Sequence, residues 1–190
     1  MSDYLVHHGI LGMKWGVRRY QNKDGTLTSE GKRHKQEVVF VSGSSKTQTK
    51  DSPYYRKSLP KPIKQELRQY KKNGDKIIVG DAPGIDRQVQ NFLKRYKNVE
   101  VYGPGQNVRY SANKKWKTHA IDAPEYEQGS KEWLAKKDIV MTNRATKGLA
   151  VTLDEGSKAT KRNVERLIQQ NKDVSVYELS MYGDDSWRQR

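Results

Sequence analysis

The chain has 190 residues, of which 33% are hydrophobic and 31% charged, a formal net charge of +15 and no cysteine. That length holds one ordinary domain with appendages, and the charge favours anionic partners: nucleotides, nucleic acid or an acidic protein surface. The missing thiols exclude disulfides, thiolate catalysis and the usual structural zinc sites, and no apolar run approaches the roughly 20 residues that span a bilayer, so neither metal, cofactor nor membrane is expected.

Residues 1–35 are punctuated by Gly9, Gly12, Gly16, Gly25 and Gly31 among basic and aromatic residues, and keep no helical or strand period. They are expected to form an irregular basic N-terminal extension. From Glu37 the pattern becomes short apolar strands alternating with amphipathic helices, which predicts an α/β, Rossmann-like three-layer fold with a mostly parallel central sheet over residues 36–179. Residues 180–190 read as a flexible tail.

Val38–Val41 is a strand of buried type that ends at a turn of small residues, Ser42 to Ser45. Pro62 opens a helix with Ile63, Leu67 and Tyr70 on one face, stopped at Asn73-Gly74. Ile77–Val79 is the second strand; it leaves through Gly80 to Asp86 into a helix carrying Val89, Phe92, Leu93 and Tyr96. Val99–Tyr102 is the third strand. Residues 103–121, with Tyr110 and Trp116, read as an irregular segment over a sheet edge or a site, where either ring could stack a base. A helix over 124–137, a strand at Ile139–Met141, a strand at Ala150–Leu153, a helix carrying Val164, Leu167 and Ile168, and a strand at Val174–Tyr177 complete the chain.

In an open α/β sheet, ligands gather beyond the carboxyl ends of the strands. The turns Ser42 to Ser45, Gly80 to Asp86 and Asp154 to Thr160 should meet there. Each precedes a helix-like run, and a helix N-terminus offers unpaired N–H groups and partial positive charge to a phosphate. The expected ligand-binding residues are Ser42, Gly43 and Ser44, then Gly80, Asp81, Gly84, Asp86 and Arg87, then Gly156, Ser157, Lys158 and Thr160. Lys46, Arg109 and Arg162 lie in or beside these loops as further phosphate partners.

The succession Val41-Ser42-Gly43-Ser44, Ile78-Val79-Gly80-Asp81-Ala82-Pro83-Gly84-Ile85-Asp86, Val101-Tyr102-Gly103-Pro104-Gly105, Asp154-Glu155-Gly156-Ser157-Lys158-Ala159-Thr160 and Val174-Ser175-Val176-Tyr177 resembles the SLOG superfamily. That group of Rossmann-like domains includes the Lonely-guy enzymes and DNA-processing protein A. The resemblance implies a nucleotide or nucleotide-derived ligand. Lonely-guy-type phosphoribohydrolases carry a glutamate where this chain has Asn163. Cleaving an N-glycosidic bond needs a carboxylate against the developing charge on the sugar, so catalysis would fall to Asp81, Asp86 or Glu155.

A second resemblance lies in residues 7–28, His7-His8-Gly9-Ile10-Leu11-Gly12-Met13-Lys14-Trp15-Gly16-Val17-Arg18-Arg19 and onward, which is similar to a segment recurrent in head and capsid-associated proteins of phages. It implies a docking element toward capsid or head proteins, and a location in the host cytoplasm or the virion. The expected function is binding of a nucleotide or nucleotide-derived signal, sequestering or sensing a host defence messenger, by a homo-oligomer. The alternatives are a nucleotide N-glycosidic hydrolase and a virion-associated structural or DNA-binding protein.

Overall fold

A computed structural model of the chain describes residues 20–22, 24, 26, 28–34, 36–55, 58–153, 157–180 and 187–189. It divides into two compact units, Met1–Gln36 and Glu37–Arg190. In the first, where sequence periodicity suggests no regular element, Ser29–His34 forms a short helix, α1. Before it, Asp24 Oδ1 accepts from Thr26 N at 2.9 Å, and Thr28 N donates to Tyr20 O at 2.9 Å.

The second unit carries a seven-stranded sheet in the order β4-β3-β2-β1-β5-β6-β7, made of β1 Val38–Gly43, β2 Lys76–Gly80, β3 Val99–Pro104, β4 Lys117–Ile121, β5 Lys147–Leu153, β6 Asp173–Leu179 and β7 Trp187–Gln189. The first six strands run parallel, and β7 pairs antiparallel with β6. The sheet is Rossmann-like and α/β, as the alternation of elements predicts. Parallel neighbours need crossover connections, which α2 (Lys61–Asn73), α3 (Ile85–Leu93), α4 (Lys131–Arg144) and α5 (Lys158–Gln169) supply.

Strand side chains alternate between two apolar layers. Val39, Val41, Ile77, Val79, Val99 and Val101 pack with Ile63, Leu67 and Tyr70 of α2 and Ile85, Val89 and Leu93 of α3. On the opposite face Phe40, Ile78 and Tyr102 meet Met141 of α4, Ala145 just beyond it and Leu167 of α5. Helices thus cover both faces, which is why the central strands read as continuous apolar runs.

Three predicted elements are corrected. Ile139–Met141 is not a strand: it continues α4, with Ile139 outward at 38% exposure and Met141 fully buried. Residues 117–121, expected to be irregular, form the edge strand β4, whose exposed lysine, threonine and alanine hide any apolar pattern. The tail contains β7.

The chain builds outward from β1 to β2, β3 and β4, then returns to place β5 on the other side of β1, which makes the β1–β5 boundary the point where strand order reverses. Gly43, at the end of β1, lies against Ile85, and a Cβ added there would overlap that side chain. Gly43→Ala is therefore expected to cost about 1–3 kcal/mol by overpacking, visible as a lowered thermal midpoint of the full chain.

Candidate functional site

Beyond the carboxyl ends of β1 and β2, beside the start of α5, lies a cavity of about 340 Å³. Ser42, Gly43 and Ser45 line it from the first turn, Gly80, Ala82, Pro83 and Asp86 from the second, and Ser157, Ala159 and Thr160 from the third. Described residues of the three turns foreseen from sequence are thus brought together, Ser157 to Thr160 standing for the third. Backbone bonds tie the first to its neighbours: Ser44 N donates to Val151 O at 3.0 Å, and Ile85 N to Ser44 O at 3.2 Å.

Some expected ligand residues sit elsewhere. Ser44 is fully buried, and its hydroxyl accepts from Lys46 N at 3.2 Å to cap a short 3-10 turn, Ser45–Gln48. Gly84 is the N-cap of α3 at φ 88°, a conformation that favours glycine, and a Cβ there would overlap the backbone of Ser44 and Ser45. It joins one turn to the next. Arg87 lies over the Tyr110 ring, 4.6 Å from its centroid, and Lys158 is exposed; neither lines the cavity. Gly156 and Glu155 fall outside the described residues.

Asp81, a catalytic candidate, is held by Arg109, whose Nη2 lies 2.5 Å from Oδ1 while its Nε and backbone N donate to Oδ2 at 3.0 and 2.8 Å. This carboxylate anchors the segment after β3 and does not line the cavity. Tyr110 donates to Asn91 Oδ1 at 2.6 Å, and the buried Trp116 donates from Nε1 to Tyr96 O at 2.7 Å. Neither ring lines the cavity as a base platform would.

The cavity holds groups that motif reading does not single out. Lys137 and Asp138, on α4, line it together with Arg166 of α5. Lys137 is 8% exposed and its Nζ lies 2.5 Å from Asp138 Oδ1. Asn163 donates from Nδ2 to Ser42 Oγ at 3.0 Å and to Asp138 Oδ2 at 3.2 Å, and accepts from Arg166 Nη1 at 2.8 Å. Its amide is thus bound into a network that keeps a carboxylate, Asp138, at the wall. Lys137 and Asp138 fall where the sequence pattern predicts the end of the helix over 124–137 and the start of a strand, so nothing in that pattern marks them.

Electrostatics follow from this packing. Burial pushes the Asp86 carboxyl up to about 7, although the Lys137 ammonium opposes the shift and Asp138 adds to it. Burial by itself would lower the Lys137 ammonium, but Asp138 and Asp86 outweigh it and raise it. Among the described residues, five cations, Arg109, Lys131, Lys137, Arg162 and Arg166, line the cavity against two carboxylates, Asp86 and Asp138. The described walls are therefore net positive, with the starts of α3 and α5 beside them.

Fold and cavity define the class: a Rossmann-like α/β domain with a basic cleft where strand order reverses. Over residues 1–22 the chain matches a family of unknown function (DUF7211). No curated protein matches it. Among solved structures it is similar to DNA processing protein A from Helicobacter pylori, described for its single-stranded DNA binding mode, with 17% identity and a TM-score of 0.48, over 74% of this chain and 64% of that one.

Proposed function

We propose that the Glu37–Arg190 unit binds a small phosphorylated ligand, a nucleotide or nucleotide-derived molecule, in this cavity. The observation that carries the reading is the convergence of the first, second and third turns on one net-positive hollow. Its volume, about 340 Å³, lies near the lower end of the roughly 300–1,000 Å³ range of small-ligand pockets, which suits a mononucleotide. The phosphate belongs with Ser157, Thr160 and the start of α5, flanked by Arg162 and Arg166. The narrower role, capture of a host defence messenger by a phage protein, extends this reading by the two sequence resemblances alone.

Calorimetric titration of the full chain with nucleoside mono-, di- and triphosphates tests it. Arg162→Glu combined with Arg166→Glu is expected to weaken binding at least tenfold, about 1.4 kcal/mol. A folded protein that takes up no nucleotide would overturn the reading.

A second reading, nucleic-acid binding, is favoured by a different observation. Between residues 87 and 117 all eight lysines and arginines are exposed, and the one acidic residue, Glu100, is buried among Lys76, His119 and Arg144. Steeply salt-dependent binding of single-stranded DNA, lost on reversing Lys114 and Lys115 and indifferent to Arg166, would favour it.

A further inference from the structure

Three of the buried carboxylates are answered by the protein itself. Asp81 has Arg109, Glu100 has Lys76, His119 and Arg144, and Asp75 accepts from Glu37 N and Asn73 Nδ2. Asp86 differs. At 6% exposure it accepts one hydrogen bond among the described residues, from Ala82 N to Oδ2 at the long distance of 3.4 Å. Lys137 acts on it through space without a direct ion pair within 4.0 Å. Its other oxygen, Oδ1, accepts none from the described residues. Since no sealed side-chain nitrogen or oxygen among the described residues lacks a partner, Oδ1 opens to the cavity that Asp86 lines.

Gly80 makes room for this group, because a Cβ there would overlap Asp86 Oδ2. Nor does Asp86 serve as the helix cap: the N-cap of α3 is Gly84, which has no side-chain cap. Burying an acid with so little compensation is costly unless something else supplies a donor. A phosphate offers it no donor, and of the nearest wall groups Lys137 Nζ and Asn163 Nδ2 are directed at Asp138, Arg166 at Asn163 and Arg109 at Asp81.

We propose that Asp86 accepts a hydrogen bond from an O–H or N–H of the bound nucleotide, a sugar hydroxyl or an exocyclic amine, and so determines which nucleotides the cavity takes. This rests on the nucleotide-binding reading above. It makes the site two-ended: cations and helix starts hold the anion, and Asp86 reads a neutral donor.

The test is calorimetric titration of the full chain with AMP, GMP, CMP and UMP, their 2′-deoxy forms, and IMP, which lacks the amine of AMP. The wild type should discriminate at least tenfold, against the deoxy forms if the donor is the sugar or against IMP if it is the amine. In Asp86→Asn the ratio should fall to within about twofold, while inorganic phosphate still binds. Asp86→Ser, smaller and also uncharged, serves as the second variant should the amide not fold. Equal affinity of the wild type for every nucleotide, or discrimination that survives both substitutions, overturns the assignment of Asp86 while leaving nucleotide binding intact. No nucleotide binding at all overturns both.

Discussion

Replacing Arg109 by Met is expected to destabilise the protein by about 2–4 kcal/mol, read as a lower denaturant midpoint at unchanged slope. The Asp81 side chain is fully buried, whereas that of Arg109 is 49% exposed, so the substitution strips a sealed carboxylate of two of its three donors and leaves the backbone N–H of residue 109. The half-exposed guanidinium keeps the effect in the lower part of the range for broken buried pairs. Adding Asp81→Asn to Arg109→Met should restore at least half of the loss, since the uncompensated charge has gone. A double variant as unstable as the single one would show that the cost lies in packing of the arginine stem.

The second large effect is a pH dependence that runs against the usual carboxylate trend. Asp86 has an ordinary value of 3.8 and is raised to about 7 by burial, with Lys137 and Asp138 of α4 and Asp81 of its own turn as the charged neighbours. Between these values the folded protein binds more protons than the unfolded chain, so this group's contribution to stability falls as pH rises from about 4 to about 7. Asp86→Asn removes the titration. Its stability relative to wild type should therefore grow across that interval, by about 2–4 kcal/mol in all, and be constant above it. Denaturation series at pH 4.5, 6 and 7.5 read this directly; parallel curves for the two proteins would mean that Asp86 is ionised throughout.

The central strands were legible because Val38–Val41 and Ile77–Val79 are apolar on both faces and lead into turns rich in serine, glycine and alanine, and Ala150–Leu153 is apolar at three of its four positions. β4 was illegible because an edge strand contacts one neighbour and leaves Lys117, Thr118 and Ala120 in water, so nothing apolar marks it. α4 was split because its pattern misleads locally: Lys137 is buried by an ion pair and Ile139 points outward, the reverse of what polarity alone suggests. That reversal also concealed Lys137 and Asp138, since their roles depend on partners 25 or more residues away in Asn163 and Asp86. Arg109, by contrast, was recognised as a basic group near the ligand loops, but which anion it serves depends on the path of the segment after β3.

The parallel pairing of β1 with β5 sets an order on assembly. Phe40 sits beside Gly148 and Ser42 beside Ala150, so one flank of the central strand stays bare until more than a hundred further residues have been synthesised. Before then a nascent chain can join β1 only to β2 and, through it, to β3 and β4, half a sheet with an open inner border. Such long-range closure slows folding and prolongs exposure of a sticky rim, so the newly made protein should depend on chaperones most in the interval before residues 147–153 leave the ribosome.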